Sequence, residues 1–257
     1  MTSKLLILLG CFLALAPCSR ADLQLSYTAS GNNVVSPNNP LSAKVDFDLN
    51  GSLLTVILTN TLTPIPSHFA NNDALMAVFF GTNKIGATTG TAIAPETVNF
   101  SANPVCTTGT CDVSAGWAFE NFAPARYSAM NGISATGLGI FGPSGNFKPD
   151  SGTKLGGVNY GVVPTNYAGG VVDNGRNVVK LLEENSAAFQ LNLTGIAPTT
   201  LADLERMLGT VTFQYGTDLS EAHLRGTLQT SVPEPAEAVL LLTSLGLAAI
   251  SRRWWRA

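Results

Sequence analysis

The chain has 257 residues and a formal net charge of -3; 12% of its residues are charged, 45% are hydrophobic, and it holds 25 Gly and 14 Pro. So little charge with so much glycine and proline excludes a coiled coil, a helical bundle and a highly charged disordered chain. No polycationic surface is available to hold a phosphate backbone, which excludes nucleic acid as a partner, and the length suits one medium-sized domain or at most two.

In chain order, Lys4, an apolar run over residues 5–16 and the small residues Ser19 and Ala21 predict a secretory signal peptide over residues 1–21, too short to span a bilayer. Leu15-Ala16-Pro17-Cys18 also approximates a lipobox, with Pro17 where Gly or Ala is expected. Strand patterning dominates the next 200 or so residues. Runs at residues 23–28, 74–80, 133–141, 187–193 and 210–215 have the length and the β-branched or aromatic content of strands. Residues 43–49 alternate apolar and polar, Asn50-Gly51 signals a type I′ turn, and Leu54, Val56 and Leu58 resume the period of two, which predicts a hairpin. The one helix predicted outside the tails covers residues 201–208, with Thr200 and Asp203 forming its start. The expected fold class is therefore all-β, a single sandwich or jelly-roll-like ectodomain over residues 22–230. The Gly-, Asn- and Pro-rich stretch 143–175 reads as a long ordered loop that carries whatever binding the protein does.

Two cysteines remain after signal removal. Cys106 and Cys111 flank Thr-Thr-Gly-Thr, and in an oxidising compartment they predict a disulfide that pins a local excursion. A zinc site needs two further ligands, and neither His68 nor His223 is near in sequence, so no metal and no cofactor is expected.

Other constellations carry less. Gly137-Leu138-Gly139-Ile140-Phe141-Gly142 spells a dinucleotide fingerprint, but Pro143-Ser144-Gly145-Asn146 follows where a helix must begin, and the segment reads as a glycine-rich strand. Asp46 to Gly51 opens like an EF-hand loop, yet Ile57 stands where a bidentate Glu is required, leaving Asp46 and Asp48 as the wet face of a strand. Asp218 and Glu221 offer oxygen ligands for calcium, or a solvated turn. Glu120, Glu183 and Glu184 are the carboxylates a glycoside hydrolase would need to pair, while Trp117, Phe119 and Tyr127 offer either a sugar-stacking platform or core aromatics. No G-x-S-x-G is present. The chain reads as a non-enzyme.

At the C-terminus, Val232-Pro233-Glu234-Pro235 precedes an apolar run over residues 238–250 and a tail holding Arg252, Arg253 and Arg256. A helix through that run is about 20 Å long at 1.5 Å per residue, enough to cross a membrane with help from flanking turns and snorkelling arginines. The arginines favour the cytoplasmic side and Trp254 and Trp255 suit the headgroup layer, which leaves the ectodomain outside. Without residues 1–21 and 233–257, which hold five of the 14 basic and two of the 17 acidic residues, 9 basic and 15 acidic residues remain, a formal charge of -6.

This order of motif, apolar helix and basic stop over residues 231–257 resembles the PEP-CTERM sorting signal of exosortase-processed bacterial surface proteins. The stretches Leu54 to Thr61, Gly132 to Gly142 and Phe213-Gln214-Tyr215-Gly216-Thr217-Asp218-Leu219-Ser220-Glu221 resemble the ectodomain of the XDD-type group of such proteins. The resemblance implies cleavage by exosortase near residues 233–235, after export through the secretory translocon and removal of the leader by signal peptidase. It implies an inner-membrane-anchored precursor with a periplasmic ectodomain, then a protein at the cell surface or outside it. The expected role is structural, adhesive or exopolysaccharide-associated, with a calcium-assisted carbohydrate-binding module as the alternative and an extracellular hydrolase behind it.

Overall fold

The structure, a computed structural model, describes residues 22–34, 38–142, 145–148, 155–170, 181–195 and 197–229. The predicted leader and the sorting signal, with Val232, Pro233, Glu234, Pro235, Arg252, Arg253 and Arg256, lie outside these residues. Among the described residues no helix is long and apolar enough to cross a membrane.

The first strands are β1 (Leu23–Asn32), β2 (Pro40–Asn50), β3 (Leu53–Asn60), β4 (Leu75–Phe80), β5 (Ala87–Ala94), β6 (Glu96–Asn99), β7 (Pro104–Cys106) and β8 (Cys111–Asp112). They are followed by β9 (Ala118–Arg126), β10 (Ala129–Ser134), β11 (Val162–Val163), β12 (Leu181–Glu184), β13 (Ser186–Leu193), the helix α1 (Leu201–Leu208), β14 (Thr212–Tyr215), β15 (His223–Arg225) and β16 (Thr227–Gln229). They form two sheets packed as a sandwich. The first has the order β16-β1-β2-β3-β13-β5-β8 and the second β15-β14-β4-β11-β12-β6-β7, with the β9–β10 hairpin also joined to β4.

The alternation read from the sequence is what places the core. In β2, Leu41, Ala43, Val45, Phe47 and Leu49 are buried while Ser42, Lys44, Asp46 and Asp48 are half-buried on the other face. Registers then set apolar against apolar across four strands: Leu25 opposite Phe47, Phe47 opposite Val56, and Val56 opposite Phe189. One-residue slippage of any pair would turn that row to solvent, so burial itself fixes the register. On the outer face Asp46 takes a hydrogen bond from the Ser26 hydroxyl and an ion pair from Lys44 at 2.9 Å. Across the core, Phe47 meets Phe80 of the second sheet edge-on at 5.2 Å and Trp117 meets Phe189 at 4.6 Å.

β4 differs from β2 because all six of its residues are buried. Met76, Val78 and Phe80 join the main core, whereas Ala77 and Phe79 pack under Phe122, Leu138 and Phe141 in a second, smaller cluster. One edge of β4 pairs with β14 and the other with both β10 and β11, so the second sheet forks there. β11 comes from the stretch expected to be loop; two residues of it, parallel to β12, fill the middle of the sheet.

Several expectations are corrected in detail. Asn50 pairs with Leu53, so the turn residues are Gly51 and Ser52, and only Gly51 has positive φ, 61°, the pattern of a II′ turn and not I′. The strand expected over residues 133–141 stops at Ser134, whose hydroxyl accepts from the Thr136 amide at 3.1 Å and lies 2.7 Å from the Thr136 carbonyl; Leu138 and Gly139 then take positive φ. The helix α1 matches its expected span. Thr200 Oγ1 accepts from the Asp203 amide at 3.1 Å, and Leu204 and Leu208 form its buried stripe.

A buried carboxylate anchors the start of β4. Asp73, fully buried, accepts from Asn33 Nδ2 at 2.7 Å, Asn39 Nδ2 at 2.6 Å and the Ala70 amide at 2.7 Å. It thereby fastens the β1–β2 connection to the turn before β4 through three neutral amide donors.

The Cys106–Cys111 disulfide is formed. Its half-cystines are close in sequence but belong to β7, the edge of the second sheet, and β8, the edge of the first, so it joins two sheets where only a local excursion was expected. At the opposite edge Gly226 alone separates β15 from β16, and the chain crosses between sheets there. A side chain at Gly226 would press on Phe213, Tyr27 and Val211 at 3.3–3.4 Å.

Two outcomes follow for stability. Replacing both cysteines by serine lowers the unfolding free energy by about 2 kcal/mol in denaturant titration, the chain-entropy value for so short a loop. Asp73→Ala costs more, about 3–5 kcal/mol, because three donors lose their acceptor in the interior.

Candidate functional site

The carboxylates weighed as a hydrolase pair are not brought together. Glu120 sits on β9, where its Oε1 accepts from the Gly142 amide at 3.3 Å; Glu184 accepts from the Asn166 amide. Glu183, its neighbour on β12, is fully buried, and neither of its oxygens has a hydrogen-bond partner among the described residues. Burial pushes its carboxyl well above the ordinary range, and its proximity in turn contributes to raising the Tyr160 phenol, after burial itself.

The proposed sugar platform is not displayed. Trp117 is 0% exposed and Phe119 5%. Tyr127 is half-buried, edge-on to Phe79 at 5.2 Å and stacked on the exposed ring of His223 at 4.5 Å, with its hydroxyl 2.7 Å from Gln214 Oε1 and 2.8 Å from the Leu219 carbonyl. Tyr127 and Ser128 both hold positive φ, so this non-glycine hairpin turn is kept in a costly conformation by the contacts of the tyrosine ring.

Asp218 and Glu221 turn inward on their own loop. Glu221 Oε2 accepts from the amides of Thr217 and Asp218, and Asp218 Oδ1 from the amide and hydroxyl of Ser220, which hold the Asp218 carboxyl below the ordinary range. Gln214, fully buried, donates through Nε2 toward the carbonyls of Tyr215, Asp218 and Ala222 and so folds the same loop from inside. The Gln214 to Glu221 motif is accounted for as a self-satisfied turn. Among the described residues no three His, Cys, Asp or Glu side chains gather as metal ligands. His68 is exposed, and His223 Nδ1 lies 3.4 Å from the Glu221 carbonyl.

Sequence reasoning missed a cleft of about 330 Å³ between the loop after β4, the end of β13 and one face of α1. Ile85, Leu193 and Met207 contribute apolar surface; Thr82, Asn83, Thr194, Lys84, Asp203 and Arg206 contribute polar groups. Its walls are pinned. Buried Asn131 accepts from the Ile85 amide at 2.8 Å and donates to the Asn83 carbonyl at 2.8 Å, while the Gly86 carbonyl accepts from Thr194. The last carbonyls of α1 are also satisfied, those of Leu208 and Met207 by the amides of Gly81 and Thr82, and that of Arg206 by the Thr82 hydroxyl. Lys84 and Arg206 stand 122 positions apart, so no local pattern announces the pairing.

No family model, no curated protein and no solved structure matches the chain.

The buried Glu183 gives a signed pH effect. Its folded-state pKa is raised, so the stabilisation it allows is complete below the usual carboxylate range and is lost as pH rises through the raised value. Melting temperatures recorded from acid to alkaline pH for the native chain and for Glu183→Gln, which cannot ionise, show the native chain losing stability relative to the variant as pH rises above the ordinary carboxylate range.

Proposed function

We propose that this is an exported bacterial surface or extracellular-matrix protein, tethered in the inner membrane as a precursor and then processed by exosortase at its C-terminal motif. One observation carries the reading: Val232-Pro233-Glu234-Pro235, a short apolar run and the arginines 252, 253 and 256 stand in that order at the end of a chain that opens with a leader-like segment. The segments are residues 1–21 for the leader, 22–230 for the ectodomain and 231–257 for the sorting signal. Translocon, signal peptidase and exosortase are its processing partners, and its mature role is structural or adhesive, without catalysis.

Three features support this reading. The β-sandwich suits an extracellular module, and the Cys106–Cys111 disulfide suits an oxidising compartment. β16 lies antiparallel to β1, with Gln229 opposite Ser26, so the described chain begins and ends on neighbouring strands at one edge of the sandwich.

Intact-mass measurement of the surface-exposed protein from exosortase-competent cells tests the proposal. The expected mass lacks the residues beyond the 233–235 region, and the full-length mass accumulates when exosortase is deleted. Retention of Arg252 to Arg256 in competent cells is incompatible with it.

A further inference from the structure

The 330 Å³ cleft beside α1 has the make-up of a ligand site. Its size falls at the lower end of small-molecule pockets and suits a single ring rather than a run of peptide. Two cations face one carboxylate among its lining side chains: Lys84 and Arg206 against Asp203. Asp203 is already held by Arg206 Nη1 at 2.6 Å and by the Thr200 hydroxyl at 2.8 Å. Lys44 and Lys148, in contrast to Lys84, each pair with an aspartate; Lys84 has no ion pair among the described residues. Arg206 uses one of its five N–H donors on Asp203, so further donors remain for a ligand.

The helix carbonyls that would repel an anion are already occupied by donors from residues 81 and 82. In a chain with a formal net charge of -3, an ammonium with no ion pair among the described residues at the rim of a pinned cleft is a local reversal of sign. The lining also offers hydroxyl and amide groups at Thr82, Asn83 and Thr194 together with the apolar atoms of Ile85, Leu193 and Met207. A pyranose ring matches both demands, since its hydroxyls need hydrogen-bond partners and its C–H face needs apolar contact.

We propose that this cleft binds one monoanionic pyranose unit of an acidic glycan, its uronate or sulfate ester group paired with Lys84. The site is independent of export and sorting, and would stand if those failed.

Calorimetric titration of the full chain with a hexuronate trisaccharide, a sulfated trisaccharide and a neutral hexose trisaccharide tests it. The expected result is that at least one acidic sugar binds about tenfold or more tighter than the neutral one, and which of the two does so identifies the anionic group. Added salt weakens that binding. Lys84→Ala lowers the affinity about tenfold with an unchanged melting temperature, and Lys84→Arg retains it. Thr194→Trp, which fills the exposed rim, abolishes binding. The proposal is overturned if no acidic sugar binds, if the neutral sugar binds equally, if Lys84→Ala changes nothing, or if an aspartate trimer peptide binds as tightly.

Discussion

A sandwich of two open sheets has four edges, and each edge strand presents unpaired amides and carbonyls that invite separation or foreign pairing. Here the end strands of the two main strand orders are joined two by two, with the β9–β10 hairpin branching off β4. At one side β7 and β8 belong to different sheets and the Cys106–Cys111 bond couples them. At the other, β15 continues into β16 through a single glycine. The sheets are thus held face to face at both sides. The aromatic contacts between them, Phe47 on Phe80 and Trp117 on Phe189, form within that enclosure.

Within the enclosure the two sheets follow different rules. The first is the one-sided sheet of elementary alternation, apolar inward and polar outward. The second is buried on both faces at β4 and forks beside it, so its outer side needs a lid of its own, supplied by Phe122, Leu138 and Phe141. This requirement explains the glycine-rich segment 137–142: it turns at positive φ so that Phe141 can fold back over Phe79. A fully formed strand there would leave β4 bare.

Where structure follows from local chemistry, the sequence was sufficient. The β2–β3 hairpin, the strands near residues 23, 74, 187 and 210, the eight residues of α1 with their Thr200 cap, and the disulfide were all legible, because alternation, capping and spacing act within a few residues. The rest depends on distant contacts. Nothing in Arg126-Tyr127-Ser128-Ala129 signals a turn, since what holds the Tyr127 backbone comes from distant residues, Phe79, Gln214, Leu219 and His223. β11, two residues long, exists because β4 and β12 need a neighbour between them. The cleft beside α1 was illegible for the same reason: its walls come from three separated segments and are fixed by Asn131, a residue with no motif around it.

The crossing at Gly226 also determines how the domain carries mechanical load. A pull applied at Gln229 reaches β1 through the β16 ladder and β15 through the backbone of one residue, so tension divides between the two layers at once. A final strand held in one layer alone would peel away first under such a pull; sharing the strain across both layers ties its release to that of its neighbours.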